Sequence, residues 1–199
     1  MSDQKILGSL IKDASTKLGP NQEEYQRLEY CLKLNLRLIG GRLKDLKIYQ
    51  INQSTISFQE RFMDKTTIET MDMVTSAKVD DYEALTKQRG RLNITPAKPR
   101  LFTYGTIIED PEQLSSEGEY TFCVFRVGIG KSFCHKKEAD EGFENIPLRE
   151  GYDSTYLENS HSSKVFKMDY IIYSSDNVLL THVIKCKIDV REYQASHSE

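Results

Sequence analysis

The sequence predicts an α+β domain, with helices concentrated near the N-terminus and strands in the last third of the chain. Near the N-terminus, apolar residues recur every three or four positions, which is the period of an amphipathic helix. The last third instead holds short runs of β-branched and aromatic residues separated by turn-forming residues, as is typical of strands. The 199 residues are enough for one domain with a core of its own.

Two helices are predicted before residue 40. The first covers residues 3–18, ends at Gly19 and Pro20, and has its apolar positions at Ile6, Leu7, Leu10, Ile11 and Ala14. The second follows Asn21, a possible cap with Glu24 three residues later, and aligns Tyr25, Leu28, Leu32 and Leu36 on one side. From Leu32 to Leu38 leucine also alternates with polar residues, which suits a strand equally well. The pattern leaves the end of this helix open.

The middle of the chain predicts alternating strands and helices. We expect a strand through Leu46 and Ile51, a helix after Ser54, a short strand at Met71–Val74, a helix over Val79–Gln88 and a loop at Thr95–Arg100.

The last third predicts three strands, at Tyr120–Val127, Val165–Tyr173 and Val178–Val190. Ser174–Asn177 has the composition of the turn between the last two. Residues 134–163 are polar and contain glycine, so we expect a long surface loop there.

Composition limits the classes of partner. The net charge is −3 and the sequence pI is about 5.9, so we expect no nucleic-acid binding. No run approaches the ~20 apolar residues that span a membrane, and charges interrupt every stretch near Met1. We therefore expect no membrane association and an intracellular location, cytoplasmic, nuclear or in a cytoskeletal assembly.

The four cysteines, Cys31, Cys123, Cys134 and Cys186, are widely spaced and form no C-x-x-C pair, which favours free thiols. A zinc site built from Cys123, Cys134, His135 and Cys186 lacks the usual paired spacing, so we predict no metal site. Cys134 and His135 could suggest a nucleophile and its base. Adjacent residues on a strand point to opposite faces, however, and a pair without catalysis is the simpler interpretation.

Segments after residue 100 resemble, in chain order, the end of the catalytic domain of the poly(ADP-ribose) polymerase family. Phe122–Lys131 is similar to that family's apolar strand with its V-A-L-G-type turn, and Gly151–Ser154 after Pro147 is similar to its Y-D-S or H-S stretch. Its E-Y-I-V-Y … Q-V … Y-L-I ending is matched by Asp169–Tyr173, Asn177–Val178 and Thr181–Ile184. This ending is the most specific match, because strand, turn and strand keep their lengths.

Earlier segments carry a weaker resemblance. Ile48–Asn52 and Phe58–Arg61 are similar to the family's I-x-x-I-x-N … W-x-x-Y, and Gly105–Pro111 is similar to G-I-Y-F-A-x-D-P. Met71–Ser76 lies where the family has its F-H-G-T strand. The resemblance implies an ADP-ribosyltransferase-like domain over 44–191, with a mixed or antiparallel split sheet and flanking helices. A helical N-terminal extension over 1–43 and a flexible tail over 192–199 complete the expected organisation.

The family cleaves NAD and transfers ADP-ribose through an oxocarbenium-like transition state. The resemblance implies three site positions: a histidine that bonds the adenosine ribose, a tyrosine that stacks on nicotinamide, and a glutamate that orients the nicotinamide ribose. Here they fall on Met73, on Thr106 or Ile107, and on Asp169. Methionine donates no such hydrogen bond, Thr and Ile cannot stack on a ring, and Asp is one methylene shorter than Glu.

These changes predict a catalytically inactive relative that serves as an interaction or scaffold module and needs no cofactor. Two alternatives stay open: an active, divergent mono-ADP-ribosyltransferase that uses NAD through Asp169, and a binder of NAD or ADP-ribose that performs no chemistry. We expect a protein partner to contact the N-terminal helices or the 134–163 loop.

Overall fold

A computed structural model of the chain describes residues 15–38, 40–51, 70–76, 92–105, 117–136, 142–158 and 168–190. Within these ranges the fold is mixed α+β and consists mostly of sheet. The strands are β1 (Ser15–Lys17), β2 (Arg42–Ile51), β3 (Thr70–Ser76), β4 (Arg100–Tyr104), β5 (Glu117–Gly128), β6 (Ser132–Lys136), β7 (Ser154–Glu158), β8 (Met168–Ile172) and β9 (Val178–Asp189). The helix is α1 (Glu23–Leu38), and short 3-10 turns occupy Phe143–Asn145 and Ser175–Asn177.

The nine strands are hydrogen-bonded in the order β1-β2-β9-β5-β3-β4-β8-β7-β6. All neighbours are antiparallel except β6 and β7, which are parallel. The junction between β3 and β4 is narrow, because their register consists of the single pair Val74 and Thr103. The sheet is therefore a five-stranded half and a four-stranded half joined at this point.

Helix α1 packs against the five-stranded half, on what is here called the helix face of the sheet. Its buried residues are Tyr25, Leu28, Leu32 and Leu36, at the spacing of one helical side. They share a cluster with residues that alternate along β5 and β9, namely Phe122, Val124, Ile184, Cys186 and Ile188. The apolar side of α1 is thus covered by the sheet.

The ends of α1 follow from local chemistry. Glu23 and Glu24 lie in the first turn and Arg37 in the last, which matches the polarity of the helix dipole. The helix stops at a Schellman motif, in which the Gly41 amide donates to the Leu36 carbonyl at 2.8 Å. Gly40 supplies the left-handed backbone that this motif requires, with φ of 64°.

The opposite face of the sheet carries a second cluster, which spans both halves. Phe125 and Val127 of β5 meet Phe102 of β4 and Ile172 of β8 there. The rings of Phe102 and Phe125 are arranged edge to face, with centroids 5.5 Å apart. Since these two rings come from different halves, this cluster provides buried apolar contacts across the narrow junction.

A third, smaller cluster lies at β7 and β8 and contains Ile146, Leu157, Ile171 and Tyr173. The buried Tyr173 hydroxyl donates to the Ile146 carbonyl at 2.9 Å and lies 3.1 Å from the Thr155 hydroxyl. Burial raises the pKa of Tyr173, which keeps this hydroxyl protonated and able to donate.

The predicted N-terminal helix over residues 3–18 is wrong at its C-terminal end, where Ser15–Lys17 form strand β1. These residues pair with Ile51, Gln50 and Tyr49 of β2, and the Leu18 amide donates to the Ile48 carbonyl at 2.9 Å. Main-chain pairing with the open edge of β2 outweighs the helical periodicity of the segment. The remainder of that prediction, residues 3–14, lies outside the described ranges.

The second predicted helix is confirmed, and the question of its end is decided in favour of helix through Leu38. The predicted strands at Leu46–Ile51, Met71–Val74, Tyr120–Val127 and Val178–Val190 correspond to β2, β3, β5 and β9. The strand predicted at Val165–Tyr173 is β8 within its described part. The helices predicted after Ser54 and over Val79–Gln88, and the tail over 192–199, lie outside the described residues.

The prediction of one long loop over residues 134–163 is wrong. Its beginning belongs to β6, and Ser154–Glu158 form β7 between β6 and β8. Ser154 and Thr155 are polar but fully buried, with the Ser154 hydroxyl donating to the Ile129 carbonyl at 2.6 Å. Small hydroxyl side chains can be buried in a strand when they form such hydrogen bonds. A strand of this kind has no apolar pattern that would reveal it in the sequence.

Strand β4 was not predicted at all. Arg100 is the last residue of the predicted loop, and no element is predicted at 101–104, although Phe102, Thr103 and Tyr104 are favourable strand residues. Helix α1 is not long and apolar enough to cross a membrane.

Candidate functional site

A single register row crosses the helix face of the sheet and contains one of the predicted site positions. The row runs through His182 on β9, Val124 on β5, Val74 on β3, Thr103 on β4 and Asp169 on β8. Register partners lie on the same face of a sheet. The row therefore carries polar residues on both sides of the narrow junction.

Asp169 is buried in the four-stranded half, with 4% of its surface exposed. Its Oδ1 accepts a hydrogen bond from the Thr103 Oγ1 at 2.7 Å, and Thr103 is itself 1% exposed. A buried carboxylate is costly unless it accepts such bonds. The structure thus gives Asp169 a partner within the protein and leaves almost none of it open to solvent.

Met73 does not share this row. In β3 it pairs with Phe125 of β5, whereas its neighbour Val74 pairs with Val124 and Thr103. Strand β4 lies between β3 and β8, so the strands of Met73 and Asp169 are two spacings apart, or about 10 Å. Thr106 and Ile107 lie outside the described residues, just beyond Gly105.

A second polar group lies at the other end of the row, where α1 meets β9. His182 is buried on the helix face, and its Nε2 lies 3.6 Å from Glu24 Oε1. The Arg27 guanidinium holds the same carboxylate with two hydrogen bonds, of 2.7 and 2.9 Å. That pairing with Arg27 lowers the pKa of Glu24, and the charges of His182 and Arg126 add to the effect against the opposing influence of burial.

A β-bulge in β9 accompanies this group. The register with β5 shifts between Val124 and Phe125, which leaves Thr181 as the extra residue before His182. The Thr181 hydroxyl donates to the Val124 carbonyl at 3.0 Å. This carbonyl lies where the bulge interrupts the main-chain hydrogen bonds between β5 and β9. The bulge lets His182 face α1 while Leu180 joins the cluster on the opposite face.

The four residues considered for zinc are divided between the faces and the edge of the sheet. Cys123 lies in the cluster of the opposite face and Cys186 in the cluster beneath α1. Cys134 and His135 are successive residues of β6, at the far edge. Burial raises the pKa of Cys186 to about 12, so its thiol is protonated and unreactive at neutral pH.

Sequence reasoning missed Thr103, His182 and Glu24 as partners in polar groups. Thr103 lies in the strand that was not predicted, and Glu24 was considered only as a helix-capping residue. A polar residue within an apolar strand, such as His182 between Leu180 and Val183, is the signal that could have indicated a buried polar contact. No model of a known protein family matches this sequence, and no curated protein matches it.

Proposed function

We propose that this chain is a non-catalytic, ADP-ribosyltransferase-like domain that acts as a protein-interaction or scaffold module. The observation that carries the proposal is the state of Asp169, the residue at the position of the family's catalytic glutamate. Its carboxylate is buried and accepts a hydrogen bond from Thr103 at 2.7 Å. A catalytic carboxylate must instead face the substrate where positive charge develops.

The residue types at the other two positions support the same proposal. Met73 and either Thr106 or Ile107 stand where the family has a ribose-binding histidine and a stacking tyrosine. Neither methionine nor threonine supplies those interactions. Asp169 is best understood as a structural carboxylate that joins β8 to β4.

Incubation of the full chain with labelled NAD tests this proposal directly. We expect no label on the protein and no release of nicotinamide. We also expect no thermal shift with millimolar NAD, whereas a ligand at 100 times its Kd adds about 2.7 kcal/mol of stability. Labelling that disappears in a folded Asp169→Ala variant would establish a transferase, and a thermal shift without labelling would establish a binder.

A structural role for Asp169 also predicts a loss of stability when its partner is removed. Thr103→Val keeps the shape of the side chain but deletes the hydroxyl that donates to the buried carboxylate. We expect it to lower the free energy of unfolding by about 1–3 kcal/mol, measured by urea denaturation. Thr95→Val is the matched control, since Thr95 is exposed, and its effect should stay within about 0.5 kcal/mol.

The stabilities of Thr103→Val and Asp169→Ala together test whether the Asp169 carboxylate has a structural role. Catalytic residues commonly cost stability, so their replacement often leaves stability unchanged or raises it. If Thr103→Val and Asp169→Ala were both as stable as the unmodified protein, Asp169 would have no structural role.

A further inference from the structure

A group of two aromatic rings and two cations lies beside β6, at one end of the sheet. The rings of Phe133 and Tyr152 meet edge to face, with centroids 5.4 Å apart. The Lys131 Nζ lies 4.5 Å from the centroid of the Tyr152 ring, and the Arg149 Cζ lies 4.5 Å from that of Phe133 and 5.9 Å from that of Tyr152. These four residues are called the edge cluster below.

The loops that carry Lys131 and Tyr152 are joined by hydrogen bonds between Lys131 and Asp153. The Lys131 amide donates to Asp153 Oδ2 at 2.9 Å, and the Asp153 amide donates to the Lys131 carbonyl at 2.9 Å. Gly130 permits this close approach, because its φ is +53° and a side chain there would collide with Asp153. These hydrogen bonds therefore hold the loops that carry Lys131 and Tyr152 next to each other.

Neither cation of the edge cluster has a carboxylate within ion-pair distance in the described part of the chain. The ion pairs among the described residues lie elsewhere, for example between Arg27 and Glu24, between Lys33 and Glu29, and between Lys44 and Asp189. Lys131 and Arg149 are exposed, and their cationic groups lie over the ring faces of Tyr152 and Phe133. A guanidinium in this state keeps its hydrogen-bond donors for a carboxylate of another molecule.

Strand β6 adds a second recognition element. It is the last strand in the sheet order, and among the described strands it pairs only with β7. No other described strand pairs with its outer side, where an extended segment can pair with main-chain donors and acceptors. Cys134 and Lys136 are exposed along it.

We propose that the edge cluster and the outer edge of β6 together bind an extended acidic segment of a partner protein. The segment pairs with β6 through its main chain and places carboxylates on Arg149 and Lys131. Arginine and tyrosine are the residue types that dominate binding energy at protein interfaces. The chain has a net charge of −3, and Lys131, Lys136 and Arg149 are too few cations to form a track along which a nucleic acid could bind.

This inference rests on the proposed function, because it names the surface and the partner chemistry of the interaction module. It also agrees with the exposure of the two surfaces predicted to contact a partner, the N-terminal helices and residues 134–163. The apolar side of α1 is covered by the sheet, whereas Arg149 and Tyr152 of the edge cluster lie within residues 134–163, which are predicted to contact a partner.

Peptide binding to the full chain tests the inference. The probe is a fluorescein-labelled ten-residue peptide that alternates glutamate with valine or threonine, and the comparison peptides carry lysine or phosphoserine in place of glutamate. Fluorescence anisotropy should show binding of the glutamate peptide, about 10-fold weaker or worse for the Arg149→Glu protein and unchanged within about 2-fold for Lys98→Glu. Lys98 is an exposed lysine outside the cluster and serves as the matched charge reversal.

Hydrogen exchange reports on the edge of β6 separately from charge. Amides of Ser132–Lys136 should exchange more slowly when the glutamate peptide is bound. Circular dichroism confirms that each variant is folded, and Arg149→Gln replaces Arg149→Glu if the latter is not.

Several outcomes would overturn the inference. Equal binding of the glutamate and lysine peptides would remove the role of charge, and much tighter binding of the phosphoserine peptide would assign the site to phosphorylated partners. Absence of binding, or binding without protection of β6, would remove the site. None of these results bears on NAD labelling, so the inference and the proposed function fail independently.

Discussion

Two carboxylates of this chain, Asp169 and Glu24, are each held by a donor within the protein. Asp169 accepts from a neutral hydroxyl on the neighbouring strand. Glu24 accepts from a guanidinium one helical turn away and lies near a buried histidine. At the scale of the residue, the environment rather than the side chain decides whether a carboxylate joins two strands or joins a helix to the sheet.

Glu24 predicts a pH dependence of stability. Because the Arg27 pairing lowers its pKa in the folded state, the stabilisation is present above the ordinary value of 4.5 and is lost as the pH falls through the folded pKa. The side chain is about one-third exposed, so we expect Glu24→Gln to cost no more than about 1 kcal/mol at pH 7, and less at pH 3 than at pH 7. Urea denaturation at the two pH values measures the difference.

Glu150→Gln is the control for that experiment, since Glu150 is exposed. Its effect on the free energy of unfolding should be small at both pH values. A cost of Glu24→Gln that is the same at pH 3 and pH 7 would show that the ion pair with Arg27 does not contribute to folding.

At the scale of the element, α1 shows how one helix divides its residues between core and solvent. Leu32 is 0% exposed against the sheet, whereas Leu34, two residues later, is 47% exposed. Tyr30, on the outer side, is 67% exposed. The alternation of leucines that suited a strand is thus resolved by helical geometry, which turns Leu34 away from the side that carries Leu32 and Leu36.

Two leucines of α1 provide a matched test of this arrangement. Leu32→Ala should lower the free energy of unfolding by about 2–5 kcal/mol, because it opens a cavity in the cluster beneath the helix. Leu34→Ala should change it by no more than about 0.5 kcal/mol. Chemical denaturation followed by circular dichroism measures both, and equal effects of the two variants would contradict the described orientation of α1.

At the scale of the whole molecule, the two halves of the sheet are interleaved along the chain. Strand β8 belongs to the four-stranded half, yet the 3-10 turn at Ser175–Asn177 leads directly into β9 of the other half. The cluster on the opposite face contains Phe125 from one half and Phe102 from the other. The hydrogen-bonded junction is narrow, but the apolar contacts across it are buried.

We therefore expect the described halves to unfold together. Tyrosine fluorescence and far-ultraviolet circular dichroism should give coincident urea transitions, as in two-state unfolding. Phe102→Ala should lower the free energy of unfolding by about 3–5 kcal/mol. The midpoint of the urea transition should then fall by the same amount whichever of the two probes is used. Two separate transitions, or a Phe102→Ala effect seen by one probe alone, would show that the halves are independent units.

Much of the secondary structure could be predicted because it is encoded locally. The strands β5 and β9 are rich in β-branched and aromatic residues, and α1 follows a helical apolar period. The predictions failed where a partner elsewhere in the chain decided the outcome. Ser15–Lys17 became a strand because β2 offered an edge, and β7 was missed because its buried hydroxyls resemble those of a loop.

By itself the sequence determined the identities at the three site positions and the residues able to form strands and helix, since both are properties of single residues or of short periods. Only the tertiary structure decided what those residues contact. Thr103 and Asp169 are 66 positions apart, and their hydrogen bond exists because β4 and β8 pair in one register. Pairing between distant strands depends on packing of the whole sheet, so no local pattern contains it.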